Sequence, residues 1–278
     1  MSAPSPATSR RPPGLYAAAA LLAAIVAVAV AAPWLAPYDP NVQINVVTLR
    51  NAPPTGAHLL GTDPYSRDLL SRALHGARTS VGVGALAAAV GTLLGAAWGL
   101  AAGSARDATG DALMSVVDVV RALPLAVVLL AVLVVLDTPT PAEFALLIGV
   151  AAWPQASRLV FVHVRGLRTR EFVAAATALG ASRGRVLARH VAPHLLGPLA
   201  ASGALLLADA MALEAGLSFL GLGVRPPTAS WGSMVQDGVP FLGSAWWVAA
   251  VPSACLVVTV LSAARLADHL HAARLRAR

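Results

Sequence analysis

Four ionisable side chains lie inside otherwise apolar runs: Asp118, Arg121, Asp209 and Glu214. A charge held in hydrocarbon costs at least about 2–3 kcal/mol, so each should face a bundle interior or an aqueous translocation path. Other chemistries lack their parts. All 20 Lys-plus-Arg residues are arginine, and a phosphate-gripping P-loop needs lysine, so no standard nucleotide-hydrolysing site is encoded. There is no Gly-x-Ser-x-Gly elbow, and the 7 histidines fall in loops or flanks, which leaves an intramembrane hydrolase without a base at depth. The single cysteine, Cys255, excludes an internal disulfide or a cysteine-held metal. His269 and His271, two apart on a helix, diverge by about 200° and cannot chelate together. Neither a catalytic residue nor a cofactor or metal site emerges for this chain.

The elements around those four groups follow from composition. Of 278 residues, 57% are hydrophobic and 12% charged, too few polar groups to cover a soluble surface. Lipid must solvate much of the chain. Six apolar runs, at residues 15–35, 79–105, 111–136, 142–162, 195–216 and 245–266, are each long enough to cross about 30 Å of hydrocarbon. Around them lie a disordered tail (1–14), an outer loop (36–78) and a short basic tail (267–278), with five helices in a core spanning 79–266. Gly91, Gly95, Gly99 and Gly103 recur every fourth residue and predict a stripe where another helix comes close. Trp246 and Trp247 suit an interface anchor.

Six spans put both termini on one side. With that side inside, Arg10, Arg11, Arg106, six arginines from Arg165 to Arg189, Arg274, Arg276 and Arg278 make twelve inner arginines. Only five, Arg50, Arg67, Arg72, Arg78 and Arg225, fall outside. The positive-inside rule therefore predicts cytosolic termini. The net charge of +7 is dispersed over membrane-flanking loops, which argues against a nucleic-acid partner.

Two polar stretches stand out. In the outer loop, Leu60-Gly61-Thr62-Asp63-Pro64-Tyr65-Ser66-Arg67-Asp68-Leu69-Leu70-Ser71-Arg72 reads as a turn and then a surface helix, with Asp63 as cap and Pro64 at its first position. Asp63–Arg67 and Asp68–Arg72 are then acid-first i,i+4 pairs, and Tyr65, Leu69 and Ala73 form an apolar stripe. On the inner side, Glu171 to Leu179 reads as a short helix ended by Gly180. Ser182 caps a second piece from Arg183 to Val191, which Pro193 stops. A membrane protein exposing such a helix–Gly–helix hook offers a handle to a soluble partner.

The hook resembles the EAA loop of ABC-importer permeases, in which Glu-Ala-Ala, three residues, Gly and nine residues lead to Ile-x-Leu-Pro. Here Ala174 replaces the glutamate, His190 the isoleucine and Ala192 the leucine, while Ala175, Ala176, Gly180, Pro193 and every spacing remain. The segment from Leu60 is similar to the LGTD-x-x-GRD-x-x-SR stretch of the dipeptide, oligopeptide and nickel branch, with Ser66 where that branch has glycine. Residues Leu217 to Gly223, Pro226-Pro227 and Trp231-Gly232 resemble the same branch. The chain is thereby identified as a member of that family, in its second permease subunit.

The resemblance implies an all-α, six-span type I permease fold with a cytosolic coupling loop at 165–194, in the bacterial inner membrane. It implies a second permease subunit, two cytosolic ATPases that carry ATP and Mg, and an extracytoplasmic substrate-binding protein. The expected docking residues are Ala174, Ala175, Ala176, Leu179, Gly180, Arg183, Arg185 and Pro193. Cargo would be peptides or a related small solute such as nickel. An ion-coupled secondary transporter is the alternative, given Asp118, Asp209 and Glu214.

Overall fold

Long apolar sequence has one way to satisfy its own backbone in lipid, the helix, and the computed structural model, which describes residues 13–275, is built accordingly. Its helices are α1 (Pro13–Leu35), α2 (Leu69–Ser104), α3 (Asp107–Ala122), α4 (Leu125–Leu136), α5 (Pro141–Arg168), α6 (Glu171–Ala178), α7 (Arg183–Val186), α8 (Ala192–Phe219), α9 (Trp231–Gly238) and α10 (Trp247–Leu275). Among the described residues there are no strands, only an isolated bridge between Thr62 and Asp68. The expected disordered tail lies mostly outside the described residues, and its last two positions, 13 and 14, already belong to α1.

Among the described residues five helices are long and apolar enough to cross a membrane, six if α3 and α4, bent by 73° at their break, are counted as one span. The single span expected at 111–136 is therefore two helices. Pro124 is the cause: it lacks the N–H the ladder needs and pushes Leu123 into extended backbone (ψ 130°). A second correction concerns the outer loop. Residues 64–67 form a turn instead of a surface helix, and the helix begins at Leu69 and runs unbroken into the second span. Its 36 residues reach about 54 Å, so its outer end projects beyond the hydrocarbon.

The core forms around α2 and α5. Added Cβ atoms at Gly95 and Gly99 would lie 2.5 Å from the backbone oxygens of Trp153 and Ser157, and one at Gly103 would lie 2.7 Å from the Val164 Cβ. The predicted stripe thus becomes a seam at which two backbones nearly touch. α5 starts with a capping box, Thr140 with Glu143, and Pro141 in its first turn, then continues through Pro154 to Arg168. α8 and α10 pack beside α2, and α1 leans on α2 and α10 at the periphery. The span expected at 195–216 runs longer, since α8 continues past Gly216 to Phe219 before the chain turns.

Candidate functional site

The hook extends from the end of α5. α6 places Glu171 in its first turn, where a carboxylate complements the helix dipole. Gly180 (φ +83°) then ends the helix: its N–H donates to the Thr177 carbonyl at 3.0 Å, and the Ala181 N–H to the Ala176 carbonyl at 3.1 Å. This pair of bonds is the Schellman motif, whose left-handed residue favours glycine. Ser182 accepts from the Arg185 N–H at 3.4 Å and opens α7.

Pro193 does not stop the second piece, as the sequence suggested. It sits in the first turn of α8, where its missing N–H is tolerated. Just before it, the Ala192 N–H reaches back to Leu187, a π-type register over Leu187–Val191 that absorbs the change of direction. The hook is thus continuous with a span instead of hanging from one.

Its two faces differ. Val173 and Val186 are buried against Val160, Val164, Val191 and Leu195, and Phe172 stacks on His194 with ring centres 5.4 Å apart. The opposite face carries Ala174, Ala175, Arg183 and Arg185, all exposed, with Leu179 89% exposed at the tip; Ala176 is half-buried. Among the described residues no carboxylate pairs with Arg170, Arg183, Arg185 or Arg189. Sequence reasoning missed what braces the hook's base. Arg168 donates to the Gly103 and Ala105 carbonyls at 2.8 and 2.9 Å, capping the end of α2, and Arg165 pairs with Asp107 and Asp111 of α3. Those contacts join helices distant in sequence, so no local signal marks them.

The four candidate path or interior residues do not converge. Glu214 is wholly buried: Ser80 donates to one oxygen at 3.0 Å and Ser218 to the other at 2.8 Å. The same hydroxyls accept the Trp231 and Val224 N–H groups, so the carboxylate ties α2, α8 and the outer turn into one polar knot. Asp209 points away from the bundle, exposed on an α8 stripe with Ala212 and Gly216. Asp118 pairs with Arg158 at 2.7 Å, joining α3 to α5, with both side chains nearly half exposed (49% and 44%). Arg121 is exposed one turn before the Pro124 break. Charges displayed on span faces need water or a protein neighbour.

At the outer end the expected ion pairs are rearranged. Asp63–Arg67 forms, at 2.6 Å, but Asp68 does not pair with Arg72. Asp68 instead caps α2 by accepting from the Ser71 N–H at 2.8 Å and contacts His58 at 2.9 Å. Arg72 turns to Asp63 at 3.3 Å, and Arg67 also reaches Asp237 on α9 at 3.2 Å. Burial pushes the Asp237 carboxyl above its ordinary range, against the pull of Arg67 and Arg72. Ser66 sits at φ +59°, the conformation that explains a glycine in the related branch, and its hydroxyl accepts the Asn45 N–H at 3.2 Å.

The described residues form a multi-pass helical bundle with a braced outer end and an exposed, arginine-bearing hook. The chain belongs to the binding-protein-dependent transport system inner membrane component family, matched over residues 69–276, and residues 10–54 match the N-terminal TM domain of oligopeptide transport permease C. It is 34% identical to the di/tripeptide transport system permease protein of Pseudomonas aeruginosa over 252 residues, 88% of this chain and 82% of the relative. It is 35% identical to the dipeptide transport system permease protein of Escherichia coli (88% and 83% covered) and 33% identical to the oligopeptide transport system permease protein of Bacillus subtilis (86% and 78%). The chain is a type I permease subunit of an ABC importer, not an enzyme, and family membership does not support the ion-coupled alternative.

Proposed function

We propose that this subunit carries peptides into the cell, together with a second, non-identical permease subunit, two cytosolic ATPases and an extracytoplasmic binding protein. The relatives named for di-, tri- and oligopeptide transport support peptide cargo. The observation that carries the mechanism is the hook's division into a buried valine face and an exposed face of alanines, Leu179 and unpaired arginines. Closure of the ATPase pair on ATP pulls Ala174, Ala175, Ala176, Leu179, Gly180, Arg183 and Arg185 as one piece. Because Pro193 opens α8, the same movement passes into the span bearing Asp209, and the bundle rocks between outward and inward access. ATP and Mg stay on the partner subunits, and this chain holds no cofactor of its own. Asp118, Arg121 and Asp209 line the path or the seam with the second permease, while Glu214 holds the outer turn.

Both termini and the hook lie in the cytosol on this reading, in keeping with the arginine balance. Cysteine labelling in intact cells tests it in a background lacking Cys255. A cysteine at Ser182 should resist membrane-impermeant maleimide, and one at Val47, 93% exposed in the outer loop, should react. Labelling of the Ser182 position from outside would reverse the topology and remove the hook from the ATPases. In vesicles, the assembled importer should accumulate a labelled dipeptide only with ATP and binding protein.

A further inference from the structure

A crevice runs along the flank of the bundle between α1 and α10, and neither the hook nor Asp209 lines it. It consists of two cavities end to end. The first, about 420 Å³, is walled by Ile25 of α1, Leu74 and Ala77 of α2 and Cys255 of α10, with Leu60 and Trp231 at one end. The one hydroxyl in its wall, Thr259, donates to the Cys255 carbonyl at 2.7 Å, so the cavity offers a ligand no free polar group. The second, about 440 Å³, shares Val258 with the first and ends at Arg265 and His269. On the α1 side Ala17, Ala18 and Leu21 line it, and at its end His269 lies directly on Gly14, where a Cβ would be 2.6 Å from Nε2.

Depth and charge narrow the occupant. From Trp247 to Arg265 is eighteen residues of helix, about 27 Å, so the guanidinium sits where about 30 Å of hydrocarbon ends. Among the described residues no carboxylate lies within ion-pair distance of Arg265, although Asp268 is exposed three residues on. An apolar slot that opens at a boundary arginine matches one class of molecule, an anionic amphiphile. Peptide cargo would find nothing in the slot for its charged ends.

We propose that the α1–α10 crevice binds an anionic phospholipid, with one acyl chain between the helices and the headgroup phosphate at Arg265 beside His269. The site depends only on α1 and α10 lying in lipid, so it stands apart from the cargo and ATPase assignments. It would fasten the peripheral α1 to the core through the lipid.

The test is native mass spectrometry of the complete importer, delipidated and then titrated with dioleoylphosphatidylglycerol, dioleoylphosphatidylcholine or inorganic phosphate alone. Phosphatidylglycerol should be retained in preference to phosphatidylcholine, and phosphate alone should neither bind nor displace it. Arg265→Gln should reduce that preference about fivefold, the effect of one basic residue near a membrane surface, and Arg265→Lys should keep it. Ala254→Phe, which fills the slot, should lower retention of both lipids while ATP-driven uptake persists. Equal retention of the two lipids by the native protein, an unchanged preference in Arg265→Gln, or full displacement by phosphate would each overturn the proposal. If Arg265→Gln fails to accumulate, Ala254→Phe decides alone: undiminished lipid retention would rule the slot out.

Discussion

The α2–α5 seam and the hook beyond its end are both made of glycine and small residues, yet glycine serves opposite purposes in them. At Gly95, Gly99 and Gly103 the backbone is ordinary helix and the missing side chain is the point, since each Cβ would collide with α5. At Gly180 nothing lies within 4 Å and the backbone angle is the point, φ +83°. The seam supplies rigidity through close contact, and the hook supplies a shape with free space around it. The lever proposed for the hook needs both: a body that does not yield, and a tip with free space around it.

The largest predicted effect breaks the seam. Gly99→Val sets a branched side chain 2.5 Å from the Ser157 carbonyl, a backbone group that cannot turn aside. Overpacking of this kind costs about 1–3 kcal/mol or more, so yield of folded, detergent-extracted protein should collapse. Gly82→Ala on the same helix meets nothing within 4 Å and should leave yield unchanged; equal loss from both would show that the seam is not special.

Gly180→Val should give the converse phenotype. A β-branched residue in left-handed backbone costs about 1–2 kcal/mol, and no packing is disturbed, so the protein should accumulate normally. Peptide uptake and transport-coupled ATP hydrolysis should fall together, and Gly180→Asn should restore part of both. Normal uptake by Gly180→Val would reduce the hook to a connecting loop. The smallest effect is Arg183→Glu, which reverses one exposed charge on the docking face and so changes affinity for the ATPase by only about 0–1 kcal/mol. It should weaken coupling at physiological salt and less so at high salt; an effect as large as that of Gly180→Val would mean that the arginine, not the turn, carries the contact.

Much of the architecture was legible along the chain. Lipid forces apolar runs into helices and glycine at four-residue spacing predicts a close crossing, because both effects act over one or two turns. The Gly180 turn and the Ser182 cap were readable for the same reason: their hydrogen bonds close within five residues. Pro124 was visible but not its outcome. Proline can kink a helix or end it, and only the structure showed that Pro124 divides this run into two helices bent by 73°.

Sequence alone determined the solvent, the helical class and the position of the hook, since composition, length and short-range hydrogen bonding set each of these. The tertiary structure decided which charge meets which. Asp68 and Arg72 sit four apart in the sequence, but α2 begins at Leu69, so Asp68 becomes its cap and Arg72 turns to Asp63. Glu214 meets Ser80 across 134 residues, and Arg168 caps α2 across 65. Such partners are chosen by which helices lie side by side, and that choice comes from packing of the whole bundle, which no local pattern records.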